Sequence, residues 1–233
     1  MLLSVVIPAY NEKETIRKII SKVEAADIGS VGKEIIVVDD FSADGTREIL
    51  RSFPQNKYKI HYQPENKGKG AALRKGFEMS AGDFIIVQDA DLEYDPSEYG
   101  LLLGPLTEGK ADVVYGSRFI GAAPHRVLFF WHYVGNRLIT AFSNMLTNLN
   151  LSDVETCYKV FNRDALNKIL PLLRSNRFGI EVELTARIAA AKLRIYEVGI
   201  SYSGRTYEEG KKINWKDGIA AIWFIIRYNI FSK

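Results

Sequence analysis

Three acidic residues at alternate positions, Asp89, Asp91 and Glu93, close the stretch VQDADLE at residues 87–93. Two carboxylates one residue apart, just beyond a strand end, suit one hard divalent cation that keeps its other sites for water and phosphate oxygens. That is the ligand economy of Mg2+ or Mn2+. Without a cation, two anions held together at the end of the apolar run FIIVQ, residues 84–88, repel each other. Asp89 and Asp91 are therefore read as metal ligands, with Glu93 as the residue that completes the shell. Asp95 is set apart, because Asp95-Pro96-Ser97 is a cap followed by a favoured first helical position. Cations of matching chemistry come later in the chain. Arg118, Arg126, Arg205 and Lys211 lie in polar stretches between apolar elements, and a guanidinium grips phosphate through two parallel bonds. A phosphate nucleophile is already an anion at neutral pH and needs only such cations to hold it in line, whereas a hydroxyl nucleophile needs a base. His125 and His132 have no acidic orienter nearby in sequence and read as packing or interfacial residues.

The elements that must position these groups alternate in type. Leu2 to Ile7 reads as a strand, after which Asn11 is placed to cap a helix with the apolar face Ile16, Ile19, Ile20 and Val23. Glu34 to Val38 is a second strand ending in Asp39 and Asp40. A short helix from Thr46, a strand at Lys59 to Tyr62, a helix from Gly70 to Met79 and the strand Asp83 to Gln88 follow. Such alternation predicts a parallel sheet flanked by helices, with ligands outside the carboxyl ends of its strands. PAYNE after the first strand, DDFSADGT after the second and DADLE after the fourth should converge on one crevice. A dehydrogenase-type dinucleotide site is excluded, since the turn Pro8-Ala9-Tyr10-Asn11-Glu12 holds no glycine. GKGAALRKG, residues 68–76, lacks the spacing of a phosphate-cradling loop and reads as a solvated turn entering a helix. Asp40 and Asp44 read as members of a hydrogen-bonded turn around Gly45.

Composition narrows the class. With 233 residues, 47% of them hydrophobic and 25% charged, the chain buries a sizeable core in one main domain. A net charge of +3 gives no argument for a nucleic-acid partner. The single cysteine, Cys157, reads as a buried, inert thiol in a protein of the reducing cytoplasm. MLLSVVIP at the start lacks the flanks of a targeting segment, and IAAIWFIIRYNIF, residues 219–231, is interrupted by Arg227 and too short to span a bilayer.

VVIPAYNE, VVDDFSADGT, NKGKGAAL, DADLE and GSR (116–118), followed by ETCYKVF (155–161) and RTYEEGKKINWKD (205–217), resemble in their order the family 2 glycosyltransferases. The last two stretches are similar to the polyprenyl-phosphate branch, which includes dolichyl-phosphate mannose and glucose synthases. The resemblance implies an α/β nucleotide-diphosphosugar transferase fold of the GT-A, Rossmann-like type, with a mostly parallel central sheet. It also implies inverting transfer of a hexose from a nucleotide-diphosphosugar such as GDP-mannose or UDP-glucose to a polyprenyl phosphate. Carried over residue by residue, it places Pro8, Tyr10, Glu12, Val37, Asp39, Asp89 and Ala90 at the donor. Asp91, Arg205 and Lys211 fall at the reacting centre, Arg118 and Arg126 at the acceptor phosphate, and Asp89, Asp91 and Glu93 at the metal. A transferase acting on a saccharide hydroxyl, or a sugar nucleotidyltransferase, is the alternative; the latter would need a glycine-rich basic loop after the first strand. A non-catalytic interaction subunit would be expected to lose the carboxylates or the basic loop, and both are intact.

A lipid acceptor needs an apolar approach. VLFFWHYV, residues 127–134, opens a helix whose later stripe, Val134, Leu138, Phe142, Met145 and Leu149, reads as core while its aromatic start does not. The helix from Trp215 carries Ile219, Ile222, Trp223, Ile226 and Ile230 on one face and is flanked by Lys211, Lys212, Lys216, Arg227 and Lys233, a mixture suited to a membrane interface. The expected layout is a catalytic domain over residues 1–214, its donor half about 1–118 and its acceptor half about 119–214, then an interfacial helix over 215–233. Peripheral placement at the cytoplasmic face of a membrane follows, with a membrane-anchoring or oligomeric partner as another cover for the same face.

Overall fold

The computed structural model describes residues 1–54, 56–121, 124–127, 129–206, 208–209 and 215–231. Its centre is a seven-stranded sheet in the order β3-β2-β1-β4-β6-β5-β7. The strands are β1 (Leu2–Ala9), β2 (Gly32–Asp39), β3 (Lys59–Tyr62), β4 (Phe84–Val87), β5 (Val113–Ser117), β6 (Lys159–Asn162) and β7 (Ile195–Gly199). β1 runs parallel to β2 and β4, β2 to β3 and β5 to β7; β6 alone is antiparallel to its neighbours β4 and β5. The central strands are continuous apolar runs rather than alternating ones. LLSVVIPA of β1 and FIIV of β4 are buried along nearly their whole length, as strands covered on both faces must be.

Eight helices complete the described chain: α1 (Ile16–Ala25), α2 (Thr46–Arg51), α3 (Lys69–Met79), α4 (Tyr99–Thr107), α5 (Phe130–Thr147), α6 (Arg163–Ile169), α7 (Ile180–Ala190) and α8 (Trp215–Ile226), the last running on into a π-type turn at Arg227–Phe231. α1 buries Ile16, Ile19, Ile20 and Val23, the face its periodicity predicts. Its start differs from the expectation. Asn11 has φ +52 and lies before a turn in which the Glu12 carbonyl accepts from the Thr15 and Ile16 amides, so the helix begins only at Ile16. The Asn11 side chain instead accepts from the Ala43 amide and ties the first loop to the second.

A second, smaller apolar cluster of Ile139, Val154, Val182, Ala221 and Ile225 joins α5, α7 and α8. It corrects the stripe expected on α5. Leu138 and Met145 are exposed, and the packed side carries Ile139, Phe142 and Leu146. This helix is apolar around most of its circumference, so periodicity alone could not choose the inward face. On α8 the inward residues are Ala221 and Ile225, and Ile219, Ile222 and Trp223 face outward.

Candidate active site

The pairings Ala9↔Asp39 and Val6↔Val87 set the carboxyl ends of β2, β1 and β4 side by side, so the three polar loops meet as expected. Beyond β4 the Gln88 amide still donates to the Val6 carbonyl (2.9 Å), and its buried side chain accepts from the Tyr99 and Tyr158 hydroxyls. The ladder ends there. Leu92 adopts φ +66, a conformation that a branched side chain rarely accepts, and the Glu93 amide donates to Asp91 Oδ1 at 3.1 Å. This strained turn holds Asp91 and Glu93 on one side of the loop.

Two cations of the chain itself meet these carboxylates. Lys69 Nζ donates to Asp89 (2.8 and 2.9 Å to its two oxygens) and lies 2.9 Å from Glu181 Oε1. Arg205 donates to Asp91 Oδ2 (3.0 Å) and to Glu93 Oε1 (3.3 Å), and lies 3.7 Å from Glu12. The repulsion between Asp89 and Asp91 is thus met in part without a metal. It is not fully met: burial first, then the charges of Asp89 and Glu93, push the Asp91 carboxyl up to about 7 against the pull of Arg205. Burial would lower the Lys69 ammonium, yet Asp89 and Glu181 hold it well above its ordinary value.

Lys69 is the residue that the sequence reading missed, because GKGAALRKG is no solvated turn. Gly68 and Gly70 are buried, and Gly68 has φ +96 with Asn176 O only 2.6 Å from where a Cβ would stand. Asp40 fixes this loop, contrary to the role expected for it around Gly45. It accepts from the Lys67 amide (2.8 Å), the Gly68 amide (2.7 Å) and the side chains of Asn66 and Gln63. Burial keeps its carboxyl above the usual range despite those donors. Asp44 does form the expected turn, accepting from the Thr46 and Lys13 amides. The signal for Lys69 was the pair of glycines, which mark close backbone approach as readily as a flexible turn.

On the β2 side, Asp39 is fully buried and engaged, accepting from Arg47 Nε (2.7 Å) and weakly from the Ser42 amide (3.3 Å). Arg47 in turn lies over the rings of Phe41 (5.2 Å) and Tyr62 (5.5 Å). Phe41 has φ +66 and is exposed, as is Tyr10 on the adjoining loop. Pro8, Val37 and Ala90 are buried at or just beyond the carboxyl ends of β1, β2 and β4.

The remaining cations are distributed unevenly. Arg118 makes a buried bidentate pair with Asp153 (2.7 and 2.8 Å) and lies over the Tyr202 ring, whose hydroxyl donates to Glu93 (2.7 Å). It belongs to the network around the site with its guanidinium already engaged. Arg126 is exposed and pairs with Glu209 (2.7 Å) and the Gly204 carbonyl (3.2 Å). Lys211 lies outside the described residues. Cys157 is buried with its thiol pushed well up by that burial, as an inert packing residue is. Behind the site, Glu155 Oε1 and Glu181 Oε2 are buried without a hydrogen-bond partner. Burial and the Glu181 charge push the Glu155 carboxyl up to about 7.

The donor set decides what metal the site would take. Among the described residues no three acidic, histidine or cysteine side chains converge on one point. Glu93 accepts from the Tyr202 hydroxyl and from the Arg205 amide and Nε, as Asp91 accepts from Arg205 and Asp89 from Lys69. Asp89 and Asp91 fit a hard divalent cation as two ligands, with phosphate oxygens and water supplying the rest.

The model of the family described as "Glycosyl transferase family 2" matches residues 4–170. The chain belongs to that family. Among curated proteins of similar sequence is the low-salt glycan biosynthesis hexosyltransferase Agl6 of Haloferax volcanii, 34% identical over 227 residues, or 96% of this chain and 53% of that protein. The polyprenol monophosphomannose synthase of Mycolicibacterium smegmatis is 30% identical over 209 residues, 86% of this chain and 77% of its own length. A dolichol-phosphate mannosyltransferase of Pyrococcus furiosus is 35% identical over 122 residues, 52% of this chain and 34% of its own. The chain therefore spans about half the length of the first of these relatives (53%). Its fold is that of glucosyl-3-phosphoglycerate synthase from Mycobacterium tuberculosis. The structure of that enzyme with Mn2+, UDP and glucosyl-3-phosphoglycerate superposes with a TM-score of 0.71 at 21% identity, covering 98% of this chain and 80% of that one. The form with Mg2+ and UDP gives 0.72 at 21% identity, with 98% and 79% covered. The expected GT-A-like α/β fold, with its mostly parallel sheet, is thereby established for this family member.

Proposed function

We propose that the chain transfers a hexose from a nucleotide-diphosphosugar to a polyprenyl phosphate, with inversion. The observation that carries this reading is the Asp89–Asp91 pair at the end of β4, in a largely buried crevice between Lys69 and Arg205. The relatives named for polyprenol and dolichol phosphate support the acceptor class, and the Mn2+- and Mg2+-bound neighbours support a divalent cation. Asp89 and Asp91 would hold that cation. When bound, it acts as a Lewis acid that stabilises charge on the departing nucleoside diphosphate. The chain's residues do the rest. Tyr10 and Phe41 offer ring faces to the base, and Pro8, Val37 and Ala90 shape its wall. Arg205, on the segment joining β7 to α8, is placed to leave Glu93 and Asp91 for the diphosphate. Lys211, in the same segment, is assigned with it to the phosphates by the family pattern, and Arg118 and Arg126 to the incoming lipid phosphate. A segment closing over the donor excludes water that would otherwise hydrolyse the activated sugar.

A hydroxyl acceptor is the second reading; it needs a base, and Glu155, buried behind the site with Oε1 unpartnered and its carboxyl pushed up by that burial, is the candidate. Incubation with a panel of labelled nucleotide sugars, each with a short polyprenyl phosphate or a free saccharide, separates the two. Label entering a lipid phosphate in a Mg2+- or Mn2+-dependent manner supports the first, and label entering only the saccharide overturns it.

A further inference from the structure

Both oxygens of Asp89 face Lys69 Nζ, Oδ2 accepting its hydrogen bond at 2.9 Å and Oδ1 lying 2.8 Å away, and the same ammonium lies 2.9 Å from Glu181 Oε1. The lysine is the first residue of α3, and its backbone is locked by close packing of Gly68 and Gly70 against residues 175–177. Its side chain is mostly buried, and so are those of Asp89 and Glu181. On the Asp91 side, Oδ1 accepts from the Glu93 amide and Oδ2 from Arg205. A divalent cation entering alone must displace an ammonium from these oxygens and then remain within a few ångströms of it in a medium of low dielectric, where like charges repel strongly. A diphosphate removes both obstacles: its oxygens accept from the displaced ammonium and complete the cation's shell.

We propose that Lys69 is the resident counter-ion of Asp89, and that it makes divalent-cation binding depend on a nucleoside diphosphate. This rests on the reading that Asp89 and Asp91 are the cation's ligands. By linkage, the factor by which nucleotide tightens the cation equals the factor by which the cation tightens nucleotide. Glu181 is the second berth in this arrangement. Its Oε2 is buried without a partner, so the carboxylate has acceptor capacity left for an ammonium that swings off Asp89.

The test is titration of Mn2+ followed by its electron paramagnetic resonance signal, with and without UDP or GDP, on the wild type, Lys69→Met and Lys69→Arg. Wild-type protein should bind Mn2+ at least tenfold more tightly with one of the nucleotides present. Lys69→Met should bind Mn2+ at least tenfold more tightly than wild type in the absence of nucleotide, with the coupling factor falling toward one. Lys69→Arg, which keeps the charge, should retain coupling. Wild-type Mn2+ affinity indifferent to both nucleotides overturns the proposal without need of a variant, which covers the case of a misfolded Lys69→Met. A folded Lys69→Met that binds free Mn2+ no more tightly than wild type overturns it as well. Mn2+ that fails to bind even with nucleotide, or binds Asp89→Ala as well as wild type, overturns the metal assignment itself and this proposal with it.

Discussion

A charged carboxylate at the end of a buried strand is stabilised by charge of the opposite sign, which Lys69 and Arg205 supply at Asp89 and Asp91 and for which, on the proposed function, a cation brought with substrate would compete. Removing either acid should therefore damage transfer more than folding. Asp89→Ala or Asp91→Ala is expected to lose at least ~3 kcal/mol of transition-state stabilisation, on the order of a hundredfold or more in rate. Thermal denaturation should show little loss. Measured turnover within tenfold of wild type would remove these residues from the reacting centre. Glu155 tests a different balance. Its carboxyl is raised from 4.5 to about 7 by burial and by Glu181, so the folded state binds a proton that the unfolded chain releases between those values. The contribution of Glu155 to stability is then largest at acid pH, falls as pH rises from about 4.5 to about 7, and is fully lost above. Glu155→Gln removes that loss, on the order of 3 kcal/mol at pH 8, and brings no gain near pH 4. Denaturant midpoints of the two proteins at both pH values check the sign. The same variant separates the acceptor classes, since with a phosphate nucleophile its maximal rate should stay within about tenfold, against the 10²–10⁴-fold typical of a lost base.

The elements show why some of this was readable from the chain and some not. β1, β2 and β4 are apolar runs ending in acidic or aromatic residues, and runs of that kind state both the strand and the side on which the site lies. The inward face of α1 was equally plain. β6 was not, because nothing local in KVFN tells whether a strand enters parallel or antiparallel. The role of Lys69 was hidden for a related reason: it depends on Glu181 and on the 175–177 segment, more than a hundred residues away. Asp40 was misplaced because its donors come from residues 63–68, not from its own turn. The start of α3 gives the element-scale test. A Cβ on Gly70 would overlap the Ser175 carbonyl and stand 3.1 Å from the Arg177 carbonyl, and neither backbone group yields as a flexible side chain would. Gly70→Ala is expected to destabilise the protein by about 1–3 kcal/mol, a fall of roughly 2–10 °C in Tm, and to lower transfer by shifting Lys69 off Asp89. Gly104, inside α4 where an added Cβ meets nothing within 4 Å, is the control: Gly104→Ala should hold or raise Tm, as an alanine in a helix interior does, and leave transfer unchanged, and equal behaviour of the two variants would refute the close-packing argument.

At the scale of the molecule, the outstanding surface is the outer side of α5 and α8, which pack against each other through Ile139, Ala221 and Ile225. Facing away from that contact are Phe130, Trp131 and Leu138 on one helix and Ile219, Ile222 and Trp223 on the other, all exposed. Among the described residues no helix is long and apolar enough to cross a membrane. Apolar surface of this kind, rimmed by the basic residues Arg137 and Arg227, needs a cover. The proposed acceptor carries an apolar chain that stays in a bilayer, so we propose a lipid surface as the cover that would also deliver substrate. Helices lying in an interface bury aromatic side chains at the headgroup boundary and respond to anionic lipid through their cations. Adding anionic vesicles should therefore shift the tryptophan emission to the blue, with weaker binding as salt is raised. Replacing Trp131 and Trp223 together by Ser should weaken vesicle binding at least tenfold and lower transfer to a membrane-embedded polyprenyl phosphate. Transfer to a short, water-soluble polyprenyl phosphate should remain near wild type, because neither tryptophan is among the residues that meet the carboxylates. Emission that vesicles leave unchanged would refute the membrane reading of this face and leave a protein partner or a second copy of the chain as its cover.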